Sequence, residues 1–225
     1  MTIKGLIFDF DGLILDTETP LLRSWEAILG EYGLTVSMEE WASQLGTSSD
    51  LPAGYEMIES HIKESIDRDE IRTRRSQHEL ELIEEEEVMP GVFDILAEAK
   101  GRGLRLGVAS SSERKWVIGH LTKLGLVGYF DSVRSADDVS RTKPFPDLYL
   151  AVLQDLGIQA VEAIAFEDSR HGVGAAKQAG VFCVAVPNEV TRYLLMPEAD
   201  LTVRAISDLT LEEYIKMARG DESSR

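Results

Sequence analysis

Near its N-terminus the chain reads Leu6-Ile7-Phe8-Asp9-Phe10-Asp11-Gly12, an apolar run that ends abruptly in two carboxylates and a glycine. Side chains of a strand alternate between its two faces, so Asp9 and Asp11 point to the same side if strand geometry persists. Two close carboxylates repel each other unless a cation or a proton lies between them, which is how sites that need both are built. The ordinary alternative is a strand that ends in an Asp-Gly turn, and this stretch alone does not decide between the two.

Four apolar runs along the chain predict strands that are buried on both faces, as the strands of a parallel sheet are. They cover residues 3–8, 104–109, 163–166 and 181–186, with weaker strands at 131–135 and around 201–203. Helices are predicted between them at residues 92–100, 113–124, 147–156 and 173–179, and a glycine stands where each of these helices should end. This alternation predicts an α/β fold with a doubly wound, Rossmann-like parallel sheet that carries helices on both faces.

The segment between the first strand and the resumed alternation, residues 16–88, has a different pattern. It carries helical periodicity, no clear strand and a high density of charge from His61 onward. Within it, Ser37-Met38-Glu39-Glu40 has the pattern of a capping box at a helix start. We therefore expect an α-helical cap domain, residues 16–88, inserted into a core domain made of residues 1–15 and 89–225.

Composition restricts the partners. The 225 residues include 40 Asp and Glu against 23 Lys and Arg, a formal net charge of −17, which argues against nucleic acids and anionic membranes. The one cysteine, Cys183, cannot form an internal disulfide, and it lies in an apolar run where we expect a packed strand residue. No signal peptide and no membrane-spanning stretch is predicted, so we expect a cytoplasmic protein, with its oligomeric state left open.

Polar side chains stand at the predicted ends of several strands, where open parallel sheets bind their ligands. The first strand ends in Asp9 and Asp11, and the next runs into Ser110-Ser111-Ser112. Lys143 follows the weaker third strand, and the fourth strand ends in Glu167 and Asp168. Such a set of carboxylates, hydroxyls and one ammonium suits a phosphoryl group together with a divalent cation.

Each of these residue types can perform a task in phosphoryl transfer, a reaction that needs charge neutralisation and in-line positioning. Mg²⁺ prefers oxygen ligands and is typically held by one or two carboxylates, which Asp9 and Asp168 can supply. Lys143 and Ser110 can hold phosphate oxygens. A carboxylate nucleophile can form an acyl phosphate, and a second carboxylate of higher pKa can serve the leaving group and then water.

These residues resemble the motifs of the haloacid dehalogenase superfamily, in the branch of phosphatases that carry a helical cap after the first strand. The similarity to β-phosphoglucomutase-like proteins and sugar-phosphate phosphatases covers nearly the whole chain. Four segments match the superfamily's four motifs in order: Asp9-Phe10-Asp11-Gly12, Ser110, Lys143-Pro144 and Glu167-Asp168-Ser169.

The resemblance implies a role for each matching residue. Asp9 would be the nucleophile and Asp11 the general acid and base. The resemblance also implies a Mg²⁺ cofactor, held by Asp9, the main-chain carbonyl of Asp11 and Asp168, with Glu167 assisting through water. Ser110, Ser111 and Lys143 would hold the phosphoryl group. The expected activity is hydrolysis of a small phosphorylated metabolite through an aspartyl phosphate, with a sugar phosphate as the expected substrate.

Two positions separate the chain from the mutase. Leu21 aligns with a histidine on the catalytic side of the mutase, and Ser49 with a cap arginine that clamps a second phosphate. Because a mutase must bind a doubly phosphorylated intermediate, both differences favour simple hydrolysis. A phosphomutase remains the alternative enzyme, and a non-catalytic binding protein on the same fold is the alternative of another class.

Three further expectations concern local structure. The polar loop Gly46-Thr47-Ser48 in the cap is where we expect substrate selection, with a plain turn between helices as the equal alternative. Trp25 and Trp41 are expected in the core of the cap. Ser112 is expected to cap a helix that begins at Glu113.

Overall fold

The computed structural model describes residues 2–42 and 52–221, and the chain divides into two compact units. The α/β unit comprises Met1–Leu15, Glu87–Asn188 and Leu195–Arg225. The helical unit comprises Asp16–Glu86 and Glu189–Leu194. None of the helices in the described ranges combines the length and the apolar character that crossing a bilayer requires.

The helical unit contains α1 (Glu18–Glu31), α2 (Met38–Ala42), α3 (Pro52–Ile62) and α4 (Arg68–Glu85). The predicted capping box before α2 is confirmed: Ser37 Oγ accepts the N–H of Glu40 at 3.2 Å, and Glu40 Oε2 accepts the N–H of Ser37 at 3.0 Å. Asp67 caps α4, because its carboxylate accepts the backbone N–H groups of Asp69 and Glu70.

Aromatic side chains fill the centre of the helical unit. Trp25 packs edge-on against Tyr55, with ring centroids 4.9 Å apart, and lies 6.3 Å from the ring of Trp41. Both tryptophans are buried, as predicted. Gly54 is needed beside them, because a Cβ at this position would lie 2.3 Å from the Trp25 ring.

Glu189–Leu194 also belong to the helical unit, although the predicted core domain of residues 89–225 included them. An apolar contact accounts for this division: Val190 is fully buried in the cluster that contains Trp25, Trp41 and Tyr55. A segment that returns to a remote cluster cannot be recognised from its own six residues.

The α/β unit is built on a six-stranded, entirely parallel sheet, which confirms the predicted fold class. Its strands are β1 (Gly5–Phe8), β2 (Arg105–Ala109), β3 (Ser132–Arg134), β4 (Ala163–Glu167), β5 (Phe182–Ala185) and β6 (Leu201–Thr202), in the order β3-β2-β1-β4-β5-β6. The strands are connected by α5 (Val92–Gly101), α6 (Arg114–Lys123), α7 (Asp147–Leu156) and α8 (Arg170–Gln178), and α9 (Leu211–Arg219) follows the last strand.

Two helix starts differ from the prediction. α8 begins at Arg170, three residues earlier than predicted, because Ser169 caps it by accepting the N–H of Gly172 at 3.1 Å. α6 begins at Arg114 with Glu113 as its N-cap residue, so Ser112 is not the cap that we expected.

The strand order places the first strand at the centre of the sheet. The chain runs outward from β1 through β2 to β3 and then crosses to β4 on the other side of β1. This reversal is the topological switch point at which open α/β sheets bind ligands. Phe8 pairs with Phe166 in neighbouring strands, so the next residues, Asp9 and Glu167, lie side by side at the ends of β1 and β4.

Candidate active site

Asp9 occupies the exit of β1 and is 6% exposed. Its N–H donates to the carbonyl of Phe166 at 3.0 Å, which extends the pairing of β1 and β4 by one residue. Its Oδ1 accepts the N–H of Phe10 at 2.6 Å. The backbone therefore fixes both the position of Asp9 and one of its carboxylate oxygens.

Lys143 connects Asp9 with Glu167. Its Nζ lies 2.7 Å from Asp9 Oδ1 and 2.6 Å from Glu167 Oε1, and its side chain is only 5% exposed. Burial by itself would lower the pKa of Lys143, but the two carboxylates outweigh that effect and hold the pKa above its usual value. Lys143 is therefore a permanent positive charge between two buried carboxylates.

Glu167 is fully buried at the end of β4. Burial, together with the charge of Asp9, raises the pKa of Glu167 against the opposing effect of Lys143. The hydroxyl of Tyr149, on α7, donates to Glu167 Oε1. Gly172 leaves room on the other side, because a Cβ there would lie 1.8 Å from Glu167 Oε2. Glu167 is thus enclosed on several sides by the fold.

Asp168 is 2% exposed and is held by Asn188. The Asn188 amide donates to Asp168 Oδ2 at 2.8 Å and to the carbonyl of Gly12 at 3.1 Å, which ties the turn after β1 to the end of β4. Gly12 adopts φ +74°, and a Cβ there would lie 2.3 Å from Asp168 Oδ2. Glycine is therefore required at this turn for conformation and for close approach.

Asp11 lies in a separate, half-buried environment. Its Oδ2 accepts the hydroxyls of Ser112 at 2.6 Å and Ser110 at 3.2 Å, and its Oδ1 accepts the indole N–H of Trp116 at 2.9 Å. Burial raises the pKa of Asp11, and these three hydrogen bonds oppose the rise only in part. Asp9 and Asp11, two residues apart, thus have different partners: a cation for the first and neutral donors for the second.

The carboxylates fit a divalent cation. One oxygen from each of Asp9, Glu167 and Asp168 lies within 4.8 Å of the others, and all three residues are buried. Buried carboxylates repel one another unless positive charge is supplied, as Lys143 supplies it to Asp9 and Glu167. An all-oxygen set of this kind suits Mg²⁺.

Comparison with known proteins identifies the family. The model of the haloacid dehalogenase-like hydrolases matches residues 6–186, well over half of the chain. This chain is a haloacid dehalogenase-like hydrolase. The prediction made from the four motifs is confirmed.

Named relatives of this hydrolase include phosphatases. It is 41% identical over 209 residues to YhcW of Bacillus subtilis (strain 168), provisionally named a phosphatase, with 93% of this chain and 94% of the relative covered. It is 34% identical over 185 residues to the fructose-1-phosphate phosphatase YqaB of Escherichia coli (strain K12), with 81% and 95% covered. The crystal structure of β-phosphoglucomutase (pgmB) from Clostridium difficile superposes with a TM-score of 0.75 at 25% identity and covers 98% of this chain and 99% of that one.

The structure brings most of the predicted site residues of this hydrolase together at the strand ends of the α/β unit. Asp9, Lys143 and Glu167 form one contiguous ion-paired group, and Asp168 lies beside it. Ser110 is fully buried and contacts Asp11, whereas the side chain of Ser111 is exposed. The predicted selection residues Gly46, Thr47 and Ser48 lie outside the described residues.

Four residues of the hydrolase site were missed by sequence reasoning. Ser112 was interpreted as a helix cap, but its hydroxyl donates to Asp11. The run Ser110-Ser111-Ser112 could have indicated this role of Ser112, because it places three hydroxyls directly after one strand. The other three are Trp116 in α6, Tyr149 in α7 and Asn188 after β5. Nothing in their local sequence distinguishes them from ordinary packing residues.

Proposed function

We propose that this protein is a Mg²⁺-dependent phosphatase that hydrolyses a small phosphorylated metabolite through an aspartyl phosphate on Asp9. One observation carries the proposal: two carboxylates of one turn lie in opposite environments. Asp9 is paired with the Lys143 cation, whereas Asp11 is bound by the neutral donors Ser112 and Trp116. Burial and the charge of Asp9 raise the pKa of Asp11 despite these donors, and this division suits a carboxylate nucleophile beside an acid that carries a proton.

In the first step, a carboxylate oxygen of Asp9 attacks phosphorus while the bond from phosphorus to the ester oxygen breaks. Asp11 donates its proton to that oxygen, and the alcohol leaves. Lys143, Ser110 and Ser111 hold the phosphoryl oxygens in this proposal. Lys143 suits the task because its charge is permanent and its ammonium already lies 2.7 Å from Asp9.

In the second step, Asp11 is ionised and accepts a proton from water as the water oxygen attacks phosphorus. The bond between phosphorus and Asp9 breaks, inorganic phosphate leaves, and both carboxylates return to their starting states. A single residue can serve both steps because the acid of the first is, after losing its proton, the base of the second.

The proposed ligands of Mg²⁺ are Asp9, the main-chain carbonyl of Asp11 and Asp168, with Glu167 acting through water. When bound, the cation supplies positive charge against the phosphoryl oxygens. Asn188 keeps Asp168 oriented, and Lys143 offsets the charge of Asp9 and Glu167. These residues thus act as supports for the metal ligands.

A sugar phosphate is the proposed substrate class, supported by the name of the relative YqaB, and the cytoplasm is the proposed location, supported by the single cysteine. A phosphomutase is the second candidate, because the pgmB structure matches nearly the whole chain. Leu21, in place of the mutase histidine, favours hydrolysis.

Phosphate release from a panel of sugar, polyol and nucleotide monophosphates, with Mg²⁺ and with EDTA, tests the proposal. We expect Mg²⁺-dependent release that falls at least about a thousandfold in Asp9→Ala, because the nucleophile is lost. Asp94→Ala, an exposed aspartate on α5, is the matched control and should keep wild-type activity. Undiminished release in Asp9→Ala contradicts the nucleophile assignment. Conversion of a hexose 1-phosphate to the 6-phosphate, without net phosphate release, favours the mutase.

A further inference from the structure

The two oxygens of Asp11 have partners of different kinds. Oδ1 accepts the indole N–H of Trp116 at 2.9 Å, and Oδ2 accepts the hydroxyls of Ser112 at 2.6 Å and Ser110 at 3.2 Å. An indole N–H can only donate, whereas a hydroxyl can donate or accept. The difference matters when Asp11 carries a proton.

A proton on Asp11 belongs on Oδ2. The protonated oxygen of a carboxylic acid is the weaker acceptor, and Trp116 has no acceptor atom with which to receive a proton from Oδ1. The hydroxyls beside Oδ2 can rotate and accept the new O–H. Oδ2 is also the oxygen next to Ser110, one of the proposed phosphoryl-binding residues.

We propose that Trp116 is a positioning residue that binds Oδ1 of Asp11 and thereby makes Oδ2 the oxygen that transfers the proton. This inference rests on the proposed function, in which Asp11 protonates the leaving group. Trp116 does not contact the substrate in this mechanism and acts only through the carboxylate. Without its N–H, the carboxyl group can rotate, and the proton is shared between Oδ1 and Oδ2, whereas it is Oδ2 that contacts Ser110.

The fold holds the indole in place. Trp116 lies in the first turn of α6, followed by the fully buried Val117. One turn later, His120 packs edge-on against it, with ring centroids 4.3 Å apart and an interplanar angle of 65°. The imidazole of His120 in turn lies 6.2 Å from the ring of Phe10, the residue between the two aspartates. The donor is therefore fixed relative to the turn that carries Asp11.

Trp116→Phe tests the role, because phenylalanine keeps an aromatic ring and removes the N–H. General acid assistance matters for a strongly basic alkoxide leaving group and little for a weakly basic phenolate. We expect kcat/KM for the best sugar phosphate of the panel to fall about 10-fold to 100-fold. For p-nitrophenyl phosphate we expect a fall of less than about twofold.

Equal losses for the two substrates would overturn the positioning role and leave the proposed phosphatase intact, because a structural defect lowers both rates alike. A wild-type protein without Mg²⁺-dependent release from any compound would contradict the phosphatase itself and, with it, this inference. Thr122→Val, on an exposed part of the same helix, is the control and should match the wild type on both substrates.

An NMR measurement tests the contact independently of activity and of the folding of Trp116→Phe. The protein has three tryptophans, so three indole N–H signals are expected, and sequential assignment identifies that of Trp116. Loss of a carboxylate acceptor should move this signal upfield in Asp11→Ala while the other two stay in place. An unmoved Trp116 signal would overturn the inference.

Discussion

The two units of this hydrolase differ in where their ion-paired side chains lie. The α/β unit buries Asp9, Lys143, Glu167 and Asp168 at adjoining strand ends. In the helical unit most of the described ion pairs lie at the surface, for example Arg68 with Glu59 at 2.5 Å, although Arg75, paired with Glu79, is buried. Aromatic rings fill the interior of this unit. Buried charges are costly unless each is compensated, whereas exposed pairs contribute little.

The contrast indicates where sequence changes should alter activity and where they should alter stability alone. In the α/β unit, each buried charge depends on its neighbours, so one substitution leaves another group uncompensated. In the helical unit, apolar packing carries the stability, and a charge can be removed from its surface with little consequence.

Lys143→Met should give the largest change in stability. The substitution leaves Asp9 and Glu167 buried without their cation, and breaking such a pair costs about 3–5 kcal/mol. Urea unfolding in EDTA measures the effect, with the exposed Lys115→Met as the matched control. An unchanged midpoint in Lys143→Met would show that the ion-paired cluster does not contribute to the stability of the α/β unit.

Two glycine-to-alanine substitutions compare the units directly. Gly172→Ala pushes a Cβ against Glu167 and should lower activity about 10-fold to 100-fold, if Glu167 supports the proposed metal site. Gly54→Ala pushes a Cβ against Trp25 and should cost about 1–3 kcal/mol of stability by overpacking, with kcat of the folded enzyme unchanged. Kinetics and urea unfolding of both variants measure the two effects. The reverse pattern, with Gly172→Ala fully active, would contradict the contrast.

Arg68→Gln should have the smallest effect. The substitution removes the ion pair with Glu59 at the surface of the helical unit, where water and salt screen both charges. We expect the thermal midpoint and kcat/KM to equal those of the wild type within error. A clear loss of stability that disappears at high salt would show that surface charges do contribute to this unit.

Much of the fold was predictable because its signals are local. Continuous apolar runs indicated the strands of the parallel sheet, and Trp25 and Trp41 are large apolar residues in the segment predicted to be helical. The start of α8 was less predictable, because Ser169 serves both as its cap and as part of the motif after β4. The place of Glu189–Leu194 in the helical unit has no local signal, because it depends on remote contacts of Val190 and Leu194 with the aromatic cluster.

By itself, the sequence determined the fold class, the order of the strands and the residue types that follow each strand. These features are local, because the spacing of apolar residues, the turn residues and the motifs are properties of short segments. Only the tertiary structure decided which side chains contact one another. The pairing of Phe8 with Phe166 places Asp9 beside Glu167. The packing of α6 beside the turn after β1 brings the indole N–H of Trp116 to the carboxylate of Asp11. These contacts join residues roughly a hundred or more positions apart, and no local pattern encodes such a distance.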